Sequence, residues 1–249
     1  MRIETDGSAT DRSHDTQSMT DSAPSGSALL PLHVWLSPAF PVGGFAYSHG
    51  IETAVDENDI TDAESLQGWI EDLLAHGSLR NDAILLANAY RCIHEGAWAQ
   101  ALEVNDLALA LCGSKERHLE TISQGNAFLL AVRAAWPASD LERLAESAVT
   151  GVAYPMALAV AAAAHRQPLV ATIEAYLLGF VANLTSAAVR LGPIGQTDGQ
   201  HVIARLVPQL TVSARKAAEA SLDDLGGAAL RSDIAAMRHE TLYSRLFRS

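Results

Sequence analysis

Asp62-Ala63-Glu64-Ser65-Leu66-Gln67-Gly68-Trp69-Ile70-Glu71-Asp72-Leu73-Leu74 decides the fold class. Asp62 is suited to cap a helix by accepting from a first-turn N–H, and Leu66, Trp69, Ile70, Leu73 and Leu74 recur at the spacing of one helical face. The same period continues on both sides. Downstream it predicts helices over residues 79–94, 98–111, 115–136 and 140–149, with Gly96, Cys112-Gly113 and Pro137 as their breaks. Leu169, Ile173, Leu177, Phe180 and Leu184 make another stripe, ending near Arg190 where Gly192 and Pro193 interrupt the chain. A long helix with Ile203, Leu206, Val207, Leu210 and Ala214 as its core face follows, in which Pro208 removes a hydrogen bond or introduces a kink. Upstream, residues 29–36 read as a short apolar helix, closed by a loop that Pro38, Pro41, Gly43 and Gly44 enforce.

Composition agrees with an all-α, single-domain bundle of about eight to ten helices. Apolar residues make up 49% of the 249-residue chain, enough for a sizeable core, while aromatics are only 6%. Residues 1–28 are rich in Asp, Ser, Thr and Gly and read as a disordered N-terminal tail. The body spans 29–230, and 231–249 forms a C-terminal segment holding four arginines against Asp233 and Glu240. Its local charge of +2 contrasts with −12 for the whole chain. An acidic chain lacks the electrostatic attraction on which nucleic-acid and anionic-membrane binding depend. The longest apolar run, residues 152–164, contains Pro155 and falls short of the ~20 residues that span a bilayer. No signal-peptide pattern opens the sequence, so the expected location is the cytoplasm, with Cys92 and Cys112 as reduced core thiols.

The sequence carries none of the common catalytic motifs. It has no GxxxxGK[ST] or GxGxxG phosphate loop, no CxxC, no HExxH, no close His pair among its nine histidines, and no GxSxG elbow. His118 with Glu120, and His76 with Asp72, read as helix-surface polar residues rather than acid–base pairs. His165 and Arg166 read as cations at a helix C-terminus.

Three segments carry more information than a bundle requires. Phe40-Pro41-Val42-Gly43-Gly44-Phe45-Ala46-Tyr47-Ser48-His49-Gly50-Ile51-Glu52 sets aromatics around a Pro/Gly turn, with Ser48 able to cap the next helix and Glu52 in its first turn. Arg190-Leu191-Gly192-Pro193-Ile194-Gly195-Gln196-Thr197-Asp198-Gly199-Gln200 is a tight turn whose Gln196 and Gln200 lie one helical turn apart. Arg238-His239-Glu240-Thr241-Leu242-Tyr243-Ser244-Arg245-Leu246-Phe247 mixes arginine with aromatic and apolar residues, the types enriched where proteins meet. Each segment also has a plain structural reading: a rigid connection, an inter-helix turn, and a terminal helix docked on its own bundle.

In this order and at these distances, the three segments resemble the urease accessory protein UreF family over residues 29–249. Gln124-Gly125 and Tyr154-Pro155 look like weaker family positions between them. The resemblance implies a non-catalytic, all-α homodimer that joins UreD (or UreH) and the GTPase UreG on apo-urease and serves nickel insertion. It implies no cofactor bound by this chain: nickel would transit the complex and GTP would bind UreG. It also implies that the protein-binding residues are Phe40, Pro41, Gly43, Phe45, Tyr47, Ser48, Glu52, Arg190, Gln196, Gln200, Arg238, His239, Glu240, Tyr243, Arg245, Leu246 and Phe247. The C-terminal segment and residues 29–36 would dock on UreD/UreH, and the other two segments would face UreG or a nickel route. A helical small-molecule enzyme using scattered His and Glu residues is the alternative from another class.

Overall fold

The structure is a computed structural model that describes residues 29–249, so the expected N-terminal tail lies outside the described residues. Eleven α-helices follow one another: α1 Leu30–Trp35, α2 Ile51–Asp56, α3 Ala63–His76, α4 Ser78–His94, α5 Trp98–Ala110, α6 Lys115–Ala135, α7 Ser139–Ser147, α8 Tyr154–Ala164, α9 Leu169–Leu191, α10 Gln196–Glu219 and α11 Leu230–His239. Two 3-10 turns, Gly44–Ala46 and Leu222–Asp224, complete the described residues, among which no strand occurs. The bundle is all-α, as the periodicity predicts.

Local chemistry explains the boundaries. Asp62 Oδ1 accepts from the Ser65 N–H at 2.9 Å while Ser65 Oγ accepts from the Asp62 N–H at 3.1 Å, a reciprocal cap that starts α3. Leu66, Trp69, Ile70, Leu73 and Leu74 are all buried behind it. At the other end of α9, Gly192 takes φ 98°, the left-handed conformation that stops a helix at glycine.

The centre of the bundle is α8, whose Pro155 sits in the first turn, where no N–H is needed. Its residues from Tyr154 to Ala162 are all buried, and alanines on every face let α4, α6, α7 and α9 approach closely. Helix α9 is long and apolar enough by length and composition to cross a membrane, but here it packs among α10, α4 and α2.

Helix α10 corrects the predicted stripe. Its buried face is Val202, Leu206, Leu210, Ala214 and Ala217, whereas Val207 is 46% exposed and Ile203 only partly covered. The stripe keeps to a spacing of about four, so the residue one step beyond Leu206 turns outward. Pro208 is exposed and the helix continues through it; Ala204, whose carbonyl loses its donor, is an exposed residue as well. Cys92 and Cys112 are free but only partly buried, not core thiols.

Candidate functional site: a C-terminal strap on a buried ion network

The residues from Leu230 onward fold back over the start of the chain. Helix α11 crosses α2 closely at Gly50, where a Cβ would stand 3.1 Å from the Ala236 nitrogen. Gly50 also has φ 82° and His49 φ 58°, two consecutive left-handed residues that turn Ser48 and Glu52 inward. Gly50, not Ser48, therefore holds the cap position of α2. Ser48 still contributes, since its hydroxyl accepts from the Glu52 N–H at 3.3 Å.

Glu52 is the anchor. Its carboxylate accepts from the Leu246 N–H at 2.6 Å and the Phe247 N–H at 3.0 Å, and lies 2.9 Å from His239 Nε2. On the opposite side of the ring, His239 Nδ1 is 2.6 Å from Glu116, which also accepts from Arg245 at 2.7 Å. Backbone pairing completes the attachment: Ser48 N–H donates to the Ser249 carbonyl, as does the Ser48 hydroxyl, and Arg248 N–H donates to the Ala46 carbonyl at 2.8 Å. Arg190 joins from α9, donating to the Phe45 carbonyl at 2.7 Å and lying 4.2 Å over the Phe247 ring. Two outer arginines add exposed pairs, Arg238 with Glu57 and Arg231 with Asp59.

Beneath the strap lies a second layer of charge on α6 and α4. Arg117 pairs with Glu120 at 2.5 Å and approaches Asp82 at 3.9 Å; Ser249 Oγ donates to Glu120 at 3.1 Å, and His49 stands 3.7 Å from the same carboxylate. Burial raises the Glu120 carboxyl, but Arg117 and His49 overcome it and hold the pKa at about 2. Asp82 goes the other way. Burial outweighs Arg117 and the Tyr176 hydroxyl that donates to it at 3.0 Å, and its carboxyl is pushed up to about 6. Burial and Arg117 lower His49 against the pull of Glu120. A cavity of about 230 Å³, lined by His49, Ser78, Asp82, Cys112, Arg117 and Asp233, opens beside this layer. Among the described residues no three His, Cys, Asp or Glu side chains converge to hold a metal ion.

Most of the residues singled out from sequence fall into two sets. Phe40, Tyr47, Ser48, Glu52, His239 and Phe247 are buried and hold the strap or the core, Phe40 by packing on Phe128 and Trp136. Pro41, Phe45, Tyr243, Arg245 and Leu246 face outward, with Phe45 70% and Leu246 64% exposed and Tyr243 fully so. Gly43, at φ 72°, makes the turn into Gly44–Ala46. Glu240 accepts from the Lys115 N–H at 3.0 Å. Gln196 and Gln200 stay exposed on the first turn of α10, and among the described contacts neither joins the network.

Helices α6 and α4 supply what sequence reading missed: Glu116, Arg117, Glu120 and Asp82, together with His49. Glu116, Arg117 and Glu120 at i, i+1 and i+4 look like ordinary helix-surface charges; only an interrupted apolar stripe on α6 hints that one face meets something polar. His118 and Glu120 form no pair, as the sequence reading has it, and His118 is an exposed residue that turns to the Leu109 carbonyl at 3.2 Å; Glu120, read there as a surface acid, is instead buried. By contrast, Gln124-Gly125 and Tyr154-Pro155 do meet. A Cβ on Gly125 would lie 2.0 Å from the Val152 carbonyl oxygen and 2.9 Å from the Tyr154 nitrogen, whose N–H donates to Thr121 Oγ1 at 3.1 Å.

Comparison with known proteins settles the family. The UreF family model matches residues 60–207. A urease accessory protein UreF of Xanthobacter autotrophicus is 54% identical over 222 residues, covering 89% of this chain and 91% of the relative. The chain belongs to the UreF family. Relatives of the same name in two Rhodopseudomonas palustris strains are 48% identical over 92% of the chain and 96% of the relative, and 46% over 97% and 100%. The UreF model itself stops short of both the Phe40–Glu52 loop and the strap. The relative aligned over 97% of the chain reaches well beyond that span on both sides.

Proposed function

We propose that the chain is a non-catalytic urease accessory protein of the cytoplasm that acts as a homodimeric scaffold. It joins UreD/UreH and the UreG GTPase on apo-urease and couples GTP hydrolysis to nickel delivery, binding no cofactor itself. One observation carries this reading: segments nearly 200 residues apart in sequence assemble into a single surface whose buried members are tied in ion pairs and whose outward members are Phe45, Tyr243 and Leu246. Exposed aromatic and leucine side chains beside arginines have the composition of an interface core, while the buried carboxylates are engaged by Arg117, Arg245 and His239.

The strap and α1 form the UreD/UreH side. In α1, Leu32 and Trp35 are buried, yet Leu30 and Val34 face outward, leaving a second apolar strip on the surface. Gln196 and Gln200 belong to the UreG side: both are exposed, and among the described residues neither side chain is hydrogen-bonded, which leaves them available to a partner. Because binding shifts an equilibrium only through differential affinity, coupling requires that this side prefer one nucleotide state of UreG.

The test is co-purification with UreD/UreH and UreG, followed by activation of apo-urease. Removing residues 238–249 should abolish the complex and activation while the helical core still folds. Full activation by the truncated chain would refute the assignment. Turnover of a small molecule by the isolated chain would instead favour the enzyme alternative.

A further inference from the structure

Ser78, His49 and Glu120 stand in line, brought together from α4, the entry to α2 and α6. His49 Nε2 and Ser78 Oγ are 2.6 Å apart, and on the far side of the ring Nδ1 lies 3.7 Å from a Glu120 carboxylate oxygen. Among the described residues Nδ1 has no hydrogen-bond partner. A neutral imidazole has one N–H; facing a carboxylate, it carries that N–H on Nδ1 and leaves the Nε2 lone pair to accept from the Ser78 hydroxyl. Burial, and after it Arg117, lowers the ring's pKa, so His49 is neutral near neutral pH and free to take a proton. The ring is held in place under strain: it is buried on a residue with φ 58°, a left-handed backbone that few residues other than glycine adopt. Ser78, by contrast, is only half-buried and opens on the cavity of about 230 Å³ that both residues line. It is the first residue of α4, whose N-terminus carries no side-chain cap. Free first-turn amides and the helix dipole there favour negative charge on a group attached to Ser78.

We propose that Ser78 is a nucleophilic serine, activated by His49, that accepts a short, uncharged acyl group from an activated carboxylic ester. The inference goes beyond the accessory function and is independent of its partners; one acyl group per chain is a covalent modification, not turnover.

In the step, Ser78 Oγ bonds to the acyl carbon while its proton passes to His49 Nε2. The bond from that carbon to the leaving oxygen then breaks, and the proton departs with the alcohol, so the ring ends neutral as it began. Glu120 acts as a positioning residue by holding the N–H on Nδ1. The cavity sets the acyl group. Leu85, Ala108 and Leu111 give it an apolar wall, and its volume is below the ~300 Å³ at which drug-sized ligands begin, which keeps the acyl chain short. Asp82 and Asp233 line it as well, while Arg117 is engaged by Glu120, so an acyl group bearing its own carboxylate is repelled. Cys112 is the competing nucleophile in the same cavity, but burial pushes its thiol up to about 11 and leaves little thiolate near neutral pH.

The test is incubation of the full chain with p-nitrophenyl acetate, with nitrophenolate release followed by absorbance and the acetyl group located by peptide mass spectrometry. A burst approaching one nitrophenolate per chain is expected, with the acetyl group on Ser78. The p-nitrophenyl ester of succinate, which carries a carboxylate, should react far more slowly. Ser78→Ala should abolish the burst. His49→Asn, chosen because asparagine tolerates the left-handed backbone, should slow it by roughly 100-fold or more. Circular dichroism reports the fold of each variant, and should one fail to fold, the position of the acetyl group in the wild-type chain still decides. Nitrogen-15 NMR of the His49 ring reads the role of Glu120, with the proton expected on Nδ1. A chain left unacetylated at Ser78, an acetyl group on Cys112 instead, a burst that survives Ser78→Ala, or a ring proton on Nε2 overturns the proposal.

Discussion

Helix α8 and the strap network are both buried, yet opposite forces hold them. Helix α8 is surrounded by apolar contacts, and at its N-terminal end the Ala153 N–H donates to Asn105 and the Tyr154 N–H to Thr121. The strap network holds Glu52, Glu116, Glu120, Arg117 and His239 in a region where an unpaired charge would be severely penalised. The first region is specified by volume and the second by pairing. A change in volume should therefore damage α8 and a change in charge the network.

The largest effect is expected at the α6–α8 crossing. Gly125→Ala forces a Cβ against the Val152 backbone oxygen, which no side-chain rotation relieves. Denaturant unfolding should show a loss of about 3 kcal/mol or more, or no folded protein at all. A cost below ~1 kcal/mol, the ordinary range for a tolerated surface change, would mean the helices can separate without penalty.

Next comes Glu120→Gln. Removing the carboxylate leaves the Arg117 guanidinium buried without its partner, at a cost of about 3–5 kcal/mol near neutral pH. Glu120 is held at about 2 against a usual 4.5, so its contribution in the native protein is present above 4.5 and is lost as pH falls toward 2. Stability curves of variant and wild type should converge over that interval. Parallel curves would show that Glu120 acts by shape rather than by charge.

A smaller, local effect is expected from Phe247→Ala. The ring is 4% exposed and lies under Arg190, so its loss should weaken strap docking by about 1–3 kcal/mol. Exchange protection of the strap should drop while the unfolding midpoint of the core barely moves. A matched loss across the whole protein would make the strap part of the core. Arg231→Ala, at an exposed pair with Asp59, should change stability by less than ~0.5 kcal/mol in the same assay.

Much of α3, α4 and α9 was legible because one apolar stripe per helix reports one buried face, and capping residues such as Asp62 and Gly192 mark the ends. The exposed turn of Val207 was not, since a three-or-four spacing leaves neighbouring positions on α10 ambiguous until a partner helix is present. The site divided along the same line. Its chain-local parts, the Phe40–Glu52 turn and the arginine-aromatic terminus, stand out by residue type. Glu116, Glu120 and Asp82 do not, because what distinguishes them from surface acids is a guanidinium or imidazole brought from another helix. Burial likewise separated Tyr47 and Phe247, which hold the surface together, from Phe45 and Tyr243, which present it.

On the function proposed above, the outward face of this assembled surface binds the urease maturation partners while its buried face only shapes it. Replacing Phe45, Tyr243 and Leu246 together by alanine leaves every ion pair of the network in place. Co-purification with UreD/UreH and UreG, with strap exchange and thermal unfolding measured alongside, is the direct measurement. Loss of the complex at unchanged fold and strap protection is the expected result; wild-type complex formation by the triple variant would mean that this face does not bind the partners.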